Sequence, residues 1–377
     1  MNNPGFVWTV LSFLLVIGPL IFVHELGHYF VGRWFGVHAE TFSIGFGREV
    51  AGWSDSRGTR WKVGWLPLGG YVKFAGDMNA AGQPSPEWLA LPAEERARTF
   101  QAKPVWQRFL IVLAGPMTNF LAAIVILTGF NLAYGVPKTP AVIGTVQAQS
   151  AAEQTGLRPG DRILRVDGSS VSRFEDILPI VALKTGGAVV LDIERQGRPL
   201  RVAVVPRMTS ETDEFGNQMR RPVLGIKPPG EQLLTPVSAP GAVAASISQC
   251  WVVVSTTLKG LGQIILGSRS VKELGGPLKI AKFSGEQASM GMLHFLWFIA
   301  VISINLGFIN LLPIPMLDGG HLFFYGIEAV RRKPLRPEAQ EWAFRTGLAA
   351  LLALMILVTF NDLASFGLWS KLGGLID

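Results

Sequence analysis

The chain has 377 residues, 49% of them hydrophobic and only 16% charged, with a mean hydropathy of +0.35; an ordinary soluble domain carries about 25% charged residues, so this balance argues against a soluble globular protein. The net charge of +7 is no nucleic-acid footprint, because the basic residues flank apolar runs (Arg57, Arg60, Lys62, Arg96, Arg98 and Lys103, then Arg331, Arg332, Lys333 and Arg336) as at cytoplasmic ends of membrane helices, and no nucleic-acid motif accompanies them. The one cysteine, Cys250, excludes an intramolecular disulfide and a Cys-based zinc site.

In chain order, the first apolar run covers residues 6–30, enough to span a hydrocarbon core of about 30 Å. It lacks a basic leader and a small-residue cleavage site, so it reads as a retained helix and not a signal peptide. Over 40–77, Gly45, Gly47, Gly52, Gly58, Gly64, Gly69 and Gly70 punctuate β-prone pieces, which predicts a small sheet or hairpin. Residues 78–103 are polar and read as a surface loop. A second span is expected over 105–134, with a kink at Gly115-Pro116.

Residues 137–228 show short alternating strands and charged turns, the pattern of a soluble domain, and 229–291 reads as an amphipathic connection back to the membrane. The third and fourth spans are expected over 292–312 and 342–360. The predicted architecture is therefore a multi-pass helical membrane protein of four spans. Its two membrane halves, 1–136 and 292–377, carry a membrane-associated β-element and one soluble domain. The basic loops place the inner ends in the cytoplasm, and the termini and soluble domain outside.

The sharpest chemical signal is His24-Glu25-Leu26-Gly27-His28 inside the first span. Positions i and i+4 share one helix face, so both imidazoles can reach one ion. Zinc prefers four ligands, and a catalytic site leaves one position open. Glu25 beside the pair can take a proton from the activated water. Ionisable groups at membrane depth are costly, which weighs against a merely structural histidine pair. Of the possible third ligands, Asp318 is the strongest, because prolines 313 and 315 break the helix and Gly319-Gly320 permit a close turn. Asn310 offers a neutral amide to a substrate backbone or developing oxyanion.

These residues resemble the signatures of the site-2 protease family of intramembrane zinc metalloproteases. The resemblance rests on His24-Glu25-x-x-His28 and Asn310-x-x-Pro313-x-Pro315-x-Leu317-Asp318-Gly319. It extends to the bacterial branch that includes the regulator-of-sigma-E protease, through Pro67-Leu68-Gly69-Gly70-Tyr71-Val72-Lys73, Gly115-Pro116-x-x-Asn119 and Gly276-Pro277. It implies that His24, His28 and Asp318 hold one Zn2+, that Glu25 is the catalytic base, and that Asn310, Pro313 and Pro315 help hold substrate. The stretch Gly45-Phe46-Gly47 matches a membrane-dipping β-element whose edge can pair with an unwound substrate strand. The implied reaction is the second cut of regulated intramembrane proteolysis, on a single-pass substrate such as an anti-sigma factor, in a bacterial inner membrane.

Gly156-Leu157-Arg158-Pro159-Gly160-Asp161-Arg162-Ile163-Leu164-Arg165-Val166-Asp167-Gly168 resembles the core of a PDZ domain of the bacterial protease type. PDZ domains bind peptide ends or extended segments. The chain has room for one such domain where the best-known enterobacterial relatives carry two. Two other readings compete. A transporter using intramembrane histidines would need more spans and an inverted repeat. A catalytically inactive PDZ-bearing scaffold would have no need of Glu25.

Overall fold

The computed structural model describes residues 5–76, 92–137, 139–184, 187–212, 218–230, 234–267, 275–333 and 335–365. Most of the loop expected over 78–103, and the far end of the chain, lie outside them. The described residues belong to two compact units, Met1–Ile126 with Gly275–Asp362, and Leu127–Leu274 with Leu363–Asp377.

The first unit starts with helix α1, Phe6–Trp34, apolar almost throughout. It is followed by a long hairpin of β1, Ala39–Ser54, and β2, Arg60–Phe74. Asp55 builds the turn between them: its Oδ1 accepts the backbone N–H of Arg57 and of Thr59, both at 2.9 Å. The hairpin packs on α1 through aromatic rings. Trp61 stacks on Phe42 at 4.3 Å between centroids, and Tyr29 meets Trp61 edge-on at 5.2 Å. Tyr29 and Phe42 are buried in this contact, and each large side chain fully removed from solvent is worth about 1.5–3 kcal/mol.

The hairpin is folded on itself. Residues 39–44 pair with 70–74 on one side (Phe42↔Val72, Ile44↔Gly70) and with 60–63 on the other (Thr41↔Arg60, Ile44↔Val63). Residues 51–54 pair with 60–63 beyond that. Between Phe46↔Leu66 and Ile44↔Gly70, three residues of β2 oppose Gly45 alone. Pro67 falls in this bulge, where a missing N–H breaks no ladder bond. The segments 60–64 and 70–74 are thus joined in one strand by a bulge.

Five longer helices complete the unit's frame. Helix α2 is Val105–Tyr134, and α4 (Pro277–Ser289), α5 (Met292–Asn310), α6 (Asp318–Arg331) and α7 (Pro337–Ser365) follow the second unit. Contacts fix their directions. The imidazole of His28 meets Ile111, and the Thr118 hydroxyl donates to the Val23 carbonyl at 3.0 Å, so α1 and α2 run antiparallel. The Ser303 hydroxyl donates to the Asn119 carbonyl at 2.8 Å, and Gly307 lies against the Pro116 carbonyl, so α2 and α5 are also antiparallel.

The second unit contains α3, Ala239–Ile265, and a β-rich body. Its sheet runs β4–β3–β5–β6, formed by β3 (Arg162–Val166), β4 (Ser169–Ser170), β5 (Val189–Arg195) and β6 (Arg198–Val204). Ile143, Ile163, Val166, Val189, Leu191, Ile193 and Val204 form its core. Alternation along β5 puts Val189, Leu191 and Ile193 on the buried face. Buried Asp161 receives a bidentate Arg195 guanidinium, both N···O distances 2.7 Å, and the Arg158 N–H at 2.8 Å.

Five described helices are long and apolar enough to cross a membrane: Phe6–Trp34, Val105–Tyr134, Ala239–Ile265, Met292–Asn310 and Glu338–Ala364. The sequence reading counts four, because it takes 229–291 as an amphipathic connection. The addition is α3, whose mean hydropathy of 1.4 is below the 2.0–2.5 of the others. Ser246, Gln249, Ser255, Lys259 and Gln263 interrupt its apolar residues, which hides a continuous 27-residue helix from a run-based reading.

Candidate metal centre

The one-turn repeat of α1 sets His24, Glu25 and His28 at the level of the hairpin and of α2. His24 and Glu25 are each 8% exposed. Asp318 comes from far along the chain. After α5 ends, residues 311–317 turn back sharply, with Met316 at φ +83°, and Asp318 opens α6. This turn is tight enough that a Cβ on Gly319 would lie 2.2 Å from the Leu312 carbonyl oxygen, and one on Gly320 2.5 Å from that of Ile314. The two glycines let the backbone fold under itself and turn the carboxylate inward.

Three donor atoms converge. His24 Nε2 lies 3.2 Å from His28 Nε2 and 3.1 Å from Asp318 Oδ2, and His28 Nε2 lies 3.6 Å from Asp318 Oδ1. Tetrahedral zinc ligands at about 2.0–2.1 Å from the ion stand about 3.3 Å apart, so the spacing suits one such ion. Among the described residues these three form the one His, Cys, Asp or Glu group placed to share a metal. His28 Nδ1–H donates to the Ile111 carbonyl at 2.9 Å, which leaves the Nε2 lone pair free for an ion. Asp318 Oδ2 is buried with no hydrogen-bond donor, as an oxygen reserved for a cation would be. The residues therefore fit a zinc ion.

Glu25 lies next to the pair and against β2, where a Cβ on Gly70 would sit 3.0 Å from its Cγ. The donors open into a cavity of about 760 Å³, bordered by Gly69, Gly70, Tyr71 and Val72 of β2 and by Leu348, Leu351 and Met355 of α7. Asn310 and Phe46 line the same cavity. Gly45 (φ +88°) and Gly47 (φ +86°) take left-handed conformations that set the course of the chain on either side of Phe46. Neither these glycines nor Pro313 and Pro315 belong to the cavity lining. Pro315 instead packs against Gly347 of α7, and Pro313 is exposed.

Several residues of the centre escape sequence reasoning. Gly115 has no room for a side chain: a Cβ would lie 2.2 Å from His28 Nε2. Asn119, fully buried, places its amide nitrogen 3.1 Å from His24 Nδ1. Ile111, Gly115 and Asn119 recur every four residues, so one face of α2 serves both histidines. A small and a polar residue on one face of an apolar run was the available signal. His321, one turn beyond Asp318, also lines the cavity, its ring 4.9 Å from that of Phe344.

The profile described as Peptidase family M50 matches residues 12–354. A protein of Agrobacterium fabrum named as a candidate zinc metalloprotease is 41% identical over 360 residues, covering 94% of this chain and 96% of that one. One of the same description from Rhizobium meliloti is 42% identical, with the same coverage. Metalloprotease MmpA of Caulobacter vibrioides is 37% identical over 394 residues, covering 98% and 99%.

Proposed function

This chain belongs to peptidase family M50 and is a zinc metalloendopeptidase of the membrane, and on that premise we propose that it cuts single-pass membrane proteins within or beside their transmembrane segment. In this reading His24, His28 and Asp318 hold the zinc and Glu25 is the general base. The observation that carries it is the convergence of the three donors, 3.1–3.6 Å apart, with both histidines on the apolar helix α1 and Asp318 at the start of α6.

When bound, zinc polarises the scissile carbonyl and lowers the pKa of the attacking water to about 7. Glu25 takes the proton of that water as its oxygen bonds to the carbonyl carbon, and delivers it to the amide nitrogen as the C–N bond breaks. The Asn310 amide is at the cavity wall, suited to donate to a substrate carbonyl. A helical substrate hides its peptide bonds, so it has to be held extended. The edge 70–74 is suited to this: it is the outer strand beside the cavity, and no further strand pairs with this sheet among the described residues.

We read the chain as crossing four times. Because α1 and α5 both run antiparallel to α2, the stretch from the end of α2 to the start of α5 begins and ends on one face of the membrane. It must cross an even number of times. Helix α4, at 13 residues, reaches only about 20 Å and cannot make the return for α3. Basic residues 331–336 and 96–103 then flank the cytoplasmic ends, with the termini and the β-rich domain outside an inner membrane. Residues 137–228 are read as a single PDZ domain that binds a newly exposed peptide end or keeps untrimmed substrates out. The left-handed turn at Asp167-Gly168 and the core around Ile163 and Leu191 support that reading.

The test uses purified protein with a single-pass substrate already trimmed on its outer side. Wild type should cleave it, a zinc chelator should stop this, and Glu25→Gln should cut at least 1,000-fold more slowly while keeping its zinc. Equal cleavage by Glu25→Gln would remove Glu25 from the mechanism. Deleting 140–226 should permit cleavage of the untrimmed substrate; unchanged exclusion would end the gating role.

A further inference from the structure

Resting on this reading of the metal centre, we propose that Asn119 is the positioning residue of His24. Its Oδ1 accepts the Nδ1–H of His24 and thereby presents the Nε2 lone pair to the zinc.

His24 Nε2 faces His28 Nε2 at 3.2 Å and Asp318 Oδ2 at 3.1 Å, so Nε2 is the nitrogen that must be bare to bind metal. A neutral imidazole carries one proton, which then sits on Nδ1 and needs an acceptor. The Asn119 amide is the group in reach, 3.1 Å away and 0% exposed. The two ends of an amide have the same shape, and the hydrogen-bond network decides which faces which neighbour. With Nδ2 towards His24, Asn119 donates to Nδ1, the ring proton is forced onto Nε2, and the lone pair is lost. That orientation also leaves Oδ1 buried without a partner. Turned about the last side-chain bond, Oδ1 meets Nδ1–H.

The position is built to be held. The Asn119 carbonyl accepts from Ser303 of α5 at 2.8 Å, which pins this turn of α2. The same helix treats the second histidine alike, through the Ile111 carbonyl on His28 Nδ1. One histidine is therefore oriented by main chain and the other by a replaceable side chain. Loss of such an outer partner costs about 10–100-fold in metal affinity.

The experiment measures zinc affinity of full-length apoprotein in micelles by competition with a chromophoric chelator, and records the Co2+ ligand-field spectrum. Asn119→Leu, of similar volume and no acceptor, should weaken zinc about 10–100-fold and alter the cobalt bands. Asn119→Asp presents oxygen at both ends and should bind at least as tightly as wild type. Asn119→Ala repeats the deletion should the leucine variant fail to fold. His24→Ala is the reference for the site itself and should lose zinc outright. If His24→Ala loses zinc while Asn119→Leu or Asn119→Ala binds as wild type, the positioning role is overturned and the metal centre stands. Equal weakening by Asp and Leu would also overturn it, since packing and not acceptance would then matter. Undiminished zinc in His24→Ala would remove the metal centre and this proposal together.

Discussion

Replacing Gly115 by alanine adds one methyl group at a crowded point of the metal centre, directly against both histidine rings. The new Cβ would lie 2.2 Å from His28 Nε2, 2.5 Å from its Cε1 and 2.9 Å from His24 Nε2. Ordinary contact begins at 3.4 Å, so the His28 ring has to retreat by about 1.2 Å. It cannot swing freely, because Nδ1 is held by the Ile111 carbonyl at 2.9 Å. Metal–ligand distances tolerate about 0.2 Å, so a displacement of that size removes His28 as a ligand. Gly115→Ala should therefore weaken zinc at least about 100-fold, and cleavage should fall with the metal. Zinc per chain after dialysis against graded chelator, alongside cleavage of the trimmed substrate, reads both. Gly129→Ala on the same helix is the control: nothing lies within 4 Å of its Cβ. It should keep zinc and activity, with a helix-propensity gain of up to about 1 kcal/mol. One tightly held zinc in Gly115→Ala would refute the packing argument.

Asp318→Asn removes the anionic ligand and should release zinc without unfolding the chain; retention of zinc at wild-type affinity would remove Asp318 from the ligand set. Phe46→Ala opens one wall of the cavity and should shift the preferred cut site or raise KM while kcat changes less than tenfold, read by mass spectrometry of the products; an unchanged cut pattern and KM would place Phe46 outside the substrate path. In the β-rich unit, burial pushes the Asp161 carboxyl up, but the Arg195 hydrogen bonds and the Arg158 N–H outweigh it and hold it below the usual carboxylate value. A depressed folded pKa gives stability that is present above the unfolded value of about 3.9 and is lost as pH falls through the folded one. The melting temperature should therefore fall below about pH 4, and Asp161→Asn should begin several degrees lower and descend less steeply. Parallel curves for the two proteins would show that Asp161 is not the group being titrated.

Much of the architecture was legible in the residues. Uniform apolar runs expose α1, α2, α5 and α7, because a membrane helix must present hydrocarbon on most of its faces. Helix α3 is less plain because its apolar residues are interrupted, and whether such a helix crosses depends on the ends of its neighbours. The hairpin was visible from its glycines, but its folding back on itself was not, since which strands pair depends on contacts far apart in sequence.

The donors followed the same division. That His24, Glu25 and His28 lie close together was readable because helical periodicity puts them within about one turn. Asp318, 290 residues beyond His28, could be nominated only from its turn and its resemblance. The roles of Gly115 and Asn119 belong to tertiary structure alone. Local spacing determines which side chains share a helix face, whereas the packing of α2 against α1 decides how much space His28 has and which group meets the outer nitrogen of His24.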